Sequence, residues 1–321
     1  MNAKVVTSVL VVGLCLAAVP ASGGPLHKNE ISPAANWMAH ADVEAFRNSG
    51  LGKLVLGELQ AQGLEEKLQV VAAGFSFHPL KDVRGVTLYG KGKDRSNAVV
   101  IIDGQFDPER LVSVVRANAQ YQEIPYQGVT LHRWLNEEKK GDQTTTAMMY
   151  GCIHGGRQIV VSAGLEALKG AVDTLKGPAG GAPSPLLGQI PESGKGVFLQ
   201  IVATGLGEIV GEDPQAAVLK QANLLTLTAG QPAENLAIDL NLRGESAEVA
   251  DTMVQMFQGL VAALTMASQD QPKLGELVKA VSVSRADKMA QIRFAAPAQA
   301  AFEFIKQQLE QKKQEQKPAG Q

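Results

Sequence analysis

His132, Cys152 and His154 are the nearest approach to a ligand set in this 321-residue chain. Thiolate and imidazole are the donors that zinc and copper take. Cys152 and His154 are two apart, so on a strand they would share a face, and His132 on a neighbouring strand could add a third donor. A lone C-x-H lacks the further ligands that make a metal spacing specific, and a half-buried cysteine followed by a turn histidine accounts for the same letters. No metal or other cofactor is therefore assigned. His40 and Asp42 share strand parity and could form an acid–base pair if their face lined a cleft. A solvated outer face explains them equally well, because no nucleophile motif accompanies them. The chain carries no G-x-S-x-G elbow, H-E-x-x-H helix, S-x-x-K motif or P-loop. Gly90-Lys91-Gly92-Lys93 looks like a phosphate cradle but lies between two strands and opens no helix, so it reads as a basic hairpin turn. No catalytic residue is assigned. The enzymatic alternative is a hydrolase with an unrecognised site around His40, Asp42 and His132.

The elements that would position these residues follow from periodicity. Residues Trp37 to Phe46 alternate, predicting a strand with Trp37, Ala39, Ala41 and Val43 on its buried face. A helix is expected over Leu51 to Gln62, stopped by Gly63. Gly85 to Tyr89 and Ala98 to Asp103 read as a hairpin. Asp107-Pro108-Glu109 supplies a cap, a first-turn proline and an acidic first turn for a helix running to about Asn118. Strands are expected at Val129 to Trp134, Ala147 to Ile153 and Gln158 to Val161, the last two joined by a turn at His154-Gly155-Gly156-Arg157. Leu165 to Leu175 is an amphipathic helix.

The stretch 177–196 is rich in Gly, Pro and Ser and reads as a linker or long loop. Beyond it the order repeats: strands at Val197 to Val202, Leu224 to Thr228 and Leu236 to Leu242, a long helix from Glu245, a hairpin of Val281 to Ser284 with Met289 to Phe294, and a helix over Gln299 to Gln311. This predicts an internal duplication, with Asn97-Ala98-Val99-Val100 set beside Asn235-Leu236-Ala237-Ile238. The long helix carries Val249, Met253, Met256, Phe257, Leu260, Val261, Leu264 and Met266. That broad apolar surface packs on its own sheet or lines a pocket for a lipid or partner helix.

The first 23 residues have the three parts of an export signal: Lys4, the apolar run Val5 to Val19, and small residues suited to a cut before Ser22 or before Gly24. Leu14 stands where a lipoprotein signal needs a small residue ahead of Cys15. Loss of Cys15 with the leader leaves Cys152 alone, so no internal disulfide is expected. The segment Val249 to Ala267 is interrupted by Asp251, Gln255 and Gln258 and is not expected to span a membrane. The formal net charge of −2 and an aromatic content of 5% argue against nucleic acid as a partner.

The strand AANWMAHADVEAF, the hairpin KDVRGVTLYG, the helix start FDPERL and the strand IPYQGVTLHRW together resemble an uncharacterised family of exported bacterial α+β proteins, mainly over residues 35–176. The resemblance implies an exported, non-enzymatic module and lends no catalytic residue. The expected fold class is α+β, as two similar half-repeats, each an antiparallel sheet with helices packed on one face. The expected layout is a signal peptide at 1–23, a first repeat at 24–176, the linker 177–196, a second repeat at 197–311 and a disordered tail at 312–321. The function read from these features is an exported, periplasmic or extracellular binding or scaffold module. Its partner is an unknown protein or an apolar ligand, the latter carried between sheet and helices.

Overall fold

Twelve strands make one sheet in a computed structural model that describes residues 24–315 apart from 76, 141–142, 178–184, 193, 210–218 and 270. The proposed leader with Cys15, residues 178–184 and 193 of the Gly/Pro stretch, and residues 316–321 lie outside the described residues. The first half runs β1 (Trp37–Asp42), α1 (Val43–Asn48), α2 (Gly50–Ala61), α3 (Leu64–Phe75), β2 (Val83–Gly90), β3 (Val99–Gly104), α4 (Pro108–Arg116), β4 (Gln122–Tyr126), β5 (Val129–Lys140), β6 (Gln143–His154), β7 (Gln158–Ser162) and α5 (Leu165–Leu175). The second runs β8 (Val197–Thr204), α6 (Leu206–Ile209), β9 (Ala222–Gly230), β10 (Asn235–Gly244), α7 (Ala247–Ala267), α8 (Pro272–Lys279), β11 (Val281–Ala286), β12 (Met289–Pro297) and α9 (Ala298–Glu315). The fold class is α+β and, among the described residues, every strand pairing in the sheet is antiparallel.

Strand order is β11-β12-β10-β9-β8-β1-β2-β3-β7-β6-β5-β4. Read outward from the centre, β1-β2-β3-β7-β6 and β8-β9-β10-β12-β11 follow the same path, and the hairpin β4–β5 is extra in the first half. β1 and β8, the equivalent strands, pair antiparallel from Trp37↔Ala203 to Ala41↔Leu199 and join the two halves into one sheet. The expected match of β3 with β10 therefore holds in space.

The two halves clothe the sheet differently. One row of cross-strand partners runs Cys152–Val160–Ile101–Thr87–His40–Gln200–Thr228–Asp239–Arg293–Ser282 across ten strands. Its first three members lie in the buried cluster that α5 covers with Leu168, Ala171 and Val172. Beyond the middle the row becomes polar. The helices α7 and α9 instead pack on the opposite face, where Met253 and Val254 meet Leu242 and Ala290, and Ala298 and Ala301 meet Leu236 and Phe294.

The structure differs from the sequence expectation at several points: β5 runs on to Lys140 and β6 begins already at Gln143. β1 stops at Asp42, because its carboxylate accepts from the Ala45 N–H (2.8 Å) and starts α1 at Val43. Within β1 the deeply buried side chains are Met38 (0% exposed) and His40 (4%), not Trp37 and Ala39, since Met38 and His40 share the face covered by the main buried cluster and by Gly24, while the Trp37–Ala39 face is only half covered. α9 continues to Glu315, past the expected stop at Gln311.

Candidate functional site

The register separates two of the candidate metal ligands, His132 and Cys152. His132 pairs with Gly151, so its side chain leaves the sheet on the face opposite to the adjacent Cys152. Cys152 is buried among Leu131, Val160 and Leu168, and burial pushes its thiol up to about 11. The thiol therefore stays protonated at neutral pH and is a poor ligand. His132 stacks on Tyr121, ring centroids 5.9 Å apart, and its Nδ1 lies 2.8 Å from the Tyr121 hydroxyl. That hydroxyl donates to Glu123, so Nδ1 carries a proton and donates to it. Among the described residues no three His, Cys, Asp or Glu side chains converge as a metal site.

His40 and Asp42 do share a face, but it is not a solvated one. The segment 24–31, which includes a single 3-10 turn at Lys28–Glu30, lies over it. Beneath that strap is a cavity of about 280 Å³ lined by His27, Glu30, His40, Arg84, Asp103 and Arg157 among others. Gln158, at the end of β7, holds the strap by donating to Glu30 (3.0 Å), and Arg157 pairs with Asp103 at 3.5 Å. The His40 Nε2 lies 2.9 Å from the Gly24 carbonyl, which can only accept, so Nε2 carries the proton and Nδ1 accepts from the Thr87 hydroxyl at 2.9 Å. Burial drives this imidazole down to about 4, against the bond to Gly24, and it stays neutral above that. Both ring nitrogens are committed, which leaves none to take a proton from a substrate. Burial likewise lifts Asp42 above the ordinary carboxylate range, opposed by N–H donors from Ala45, Gly24 and Glu44 and by the charge of Arg47.

The basic segment Lys91 to Arg95 is the expected hairpin connection. Gly92 takes a positive φ of 64°, its N–H donates to the Asn36 side chain (3.0 Å) and its carbonyl accepts from the Trp37 indole (2.9 Å). Its backbone groups serve its own fold rather than a phosphate.

The second candidate lies on the face of α7 and α9. Rows of side chains on this face fall into three bands. Trp37, Ala203, Leu225, Leu242 and Ala290 are packed beneath α6 and α7. Val86, Ile238 and Phe294 sit in the clusters of α1, α2 and α9. Between them runs Leu88–Ala39–Ile201–Leu227–Leu240–Ile292, one residue from each of six adjacent strands. None of the six belongs to a buried cluster: five are half-buried and Leu88 is 37% exposed. At the usual strand spacing the row is ~24 Å long and one side chain wide.

Helix α7 is split along its length. Ser246 caps it by accepting from the Val249 N–H (3.3 Å), and Ala250, Met253 and Val254 bury its first half. Its second half leaves Leu260 (54%), Leu264 (39%) and Met266 (65%) exposed, and residues 252–269 hold no charged side chain. By length and composition α7 is long and apolar enough to cross a membrane, which corrects the expectation that its polar residues forbid it. The buried first half nevertheless belongs to the core. Sequence reasoning singled out the apolar surface of α7 but missed the trough, because each of its six residues looks like an ordinary alternating strand position until register aligns them.

No protein-family profile matches the chain, and no curated protein matches its sequence. Among solved structures, crystal form I of TP0453 matches with a TM-score of 0.44 at 9% identity, over 88% of this chain and 97% of that one. Crystal form III of TP0453 matches with a TM-score of 0.46 at 12% identity, over 89% and 99% of the two chains. Likeness of this degree is distant resemblance in fold and carries no argument about ligand or activity.

Proposed function

We propose that this protein is an exported, non-catalytic binding module, periplasmic or extracellular, that lays an extended acyl chain along the trough between α7 and the α1–α2–α9 group. The observation that carries this reading is the uniformly apolar, partly exposed row Leu88–Ala39–Ile201–Leu227–Leu240–Ile292, on the sheet face against which the first half of α7 packs. A trough one side chain wide with no polar lining offers a peptide's backbone no hydrogen-bond partner and suits a flexible hydrocarbon. The hydrolase alternative gains no support from His40, whose two nitrogens are occupied, or from His132, which lies elsewhere.

The test is titration of the exported, detergent-free protein with a fluorescent fatty-acid probe. Saturable binding is expected, weakened about tenfold or more by Leu88→Asp and by Leu264→Asp, the effect of ~1.4 kcal/mol or more. The surface variant Lys93→Ala should leave affinity unchanged. Absence of saturable binding in the parent, or equal affinity in both Leu variants, sinks the acyl-chain reading.

A further inference from the structure

We propose that the leader is removed between Gly23 and Gly24, and that the new N-terminal ammonium pairs with the Asp42 carboxylate, fastening the strap 24–31 over the His40 face. The inference rests on the export reading above. It starts from Gly24, whose backbone groups both go to side chains of β1. Its carbonyl accepts from His40 Nε2 at 2.9 Å, and its N–H donates to the Asp42 carboxylate. The pair that sequence spacing offered as acid and base thus holds one glycine from both sides.

Gly24 also has no room for a side chain. A Cβ there would stand 2.5 Å from the carbonyl carbon and oxygen of Arg84 and 2.7 Å from the Gly85 nitrogen. Gly85 returns the constraint, since its own Cβ would lie 2.9 Å from the Gly24 carbonyl oxygen. Gly24 therefore lies against β2 in a closely set position, and its nitrogen is delivered to a half-buried carboxylate. Arg47 is the cation that acts on Asp42, yet its two terminal nitrogens are buried without a hydrogen-bond partner. An ammonium at Gly24 offers Asp42 three donors and a full charge where an amide offers one donor.

Residues Ala21 and Gly23 are the small side chains that a signal peptidase reads ahead of this bond. Hydrolysis consumes one water. The Gly23 carbonyl carbon takes its oxygen and departs as a carboxylate with the leader, the C–N bond breaks, and the Gly24 nitrogen takes up protons to become the ammonium.

The experiment uses the full exported chain. Intact mass is expected to correspond to a start at Gly24. A chain released at Gly24 should melt about 2–4 °C above one that keeps Gly23, the shift of roughly 1 kcal/mol in a protein of this size. That difference should vanish in Asp42→Asn, which preserves the cap of α1 because Asn caps as well as Asp. The Gly24 amine should resist an amine-reactive reagent at neutral pH in the parent and react in Asp42→Asn. A start at Ser22, equal melting temperatures, or an equally reactive amine in both proteins overturns the proposal while leaving export intact. A chain that still carries Lys4 after export overturns both.

Discussion

His40 is a neutral imidazole enclosed by a strap, a hydroxyl and a carbonyl, and enclosure makes it a term in the pH dependence of stability. Its folded value, about 4, lies below the ordinary 6.5, so between those limits the unfolded chain binds the proton and the folded chain does not. Stability is therefore lost as pH falls from about 6.5 toward about 4, by up to ~3 kcal/mol. Urea midpoints measured from pH 7 to pH 4 should fall less steeply in His40→Gln than in the parent. Superimposable profiles would show that this imidazole is not the cause. Cys152 gives the second prediction at this scale. With its thiol buried and pushed up to about 11, a thiol reagent at pH 7.5 should label it slowly in the native protein and rapidly in urea. Labelling at the same rate in both states would contradict that packing.

Helix α4 shows what local chemistry settles. The Asp107 carboxylate accepts from the Arg110 N–H (3.1 Å) and Pro108 occupies the first turn, as the letters predict. Asp107→Ala should cost about 1 kcal/mol in urea unfolding, and a loss below a few tenths would mean the cap is idle. Turns were equally readable: Gly155 and Gly156 take φ of 57° and 70° between β6 and β7, and Asp287 takes 51° between β11 and β12. A cap or turn is decided by residues within four positions of one another, so the sequence carries it whole. Face is decided by register between strands far apart in the chain. That is why His132 and Cys152 could be read as neighbours, why Trp37 could be assigned the buried face in place of Met38, and why the trough was invisible. Helix α7 stands between these cases, since its apolar surface was plain in the letters but its division into a packed half and an exposed half depends on tertiary packing.

At the scale of the whole chain, the halves share more than a boundary. The cluster around Met38 and Tyr89 includes Val202 and Leu224 from the second half and Leu186 and Ile190 from the end of the Gly/Pro stretch. The halves should therefore unfold together. Calorimetry is expected to give a single transition with calorimetric and van't Hoff enthalpies equal, and two resolved transitions would mean that the seam carries little coupling. The pairing of β1 with β8 has a further consequence. Equivalent strands meeting antiparallel are what a self-complementary contact between two identical copies makes, so the chain is organised as a dimer fused end to end. Identical copies must change together, because every substitution appears twice. Fusion removes that constraint, and here the first half carries the β4–β5 hairpin and a helix over its second face, while the second half presents Asp239, Asn241 and Arg293 at the equivalent positions.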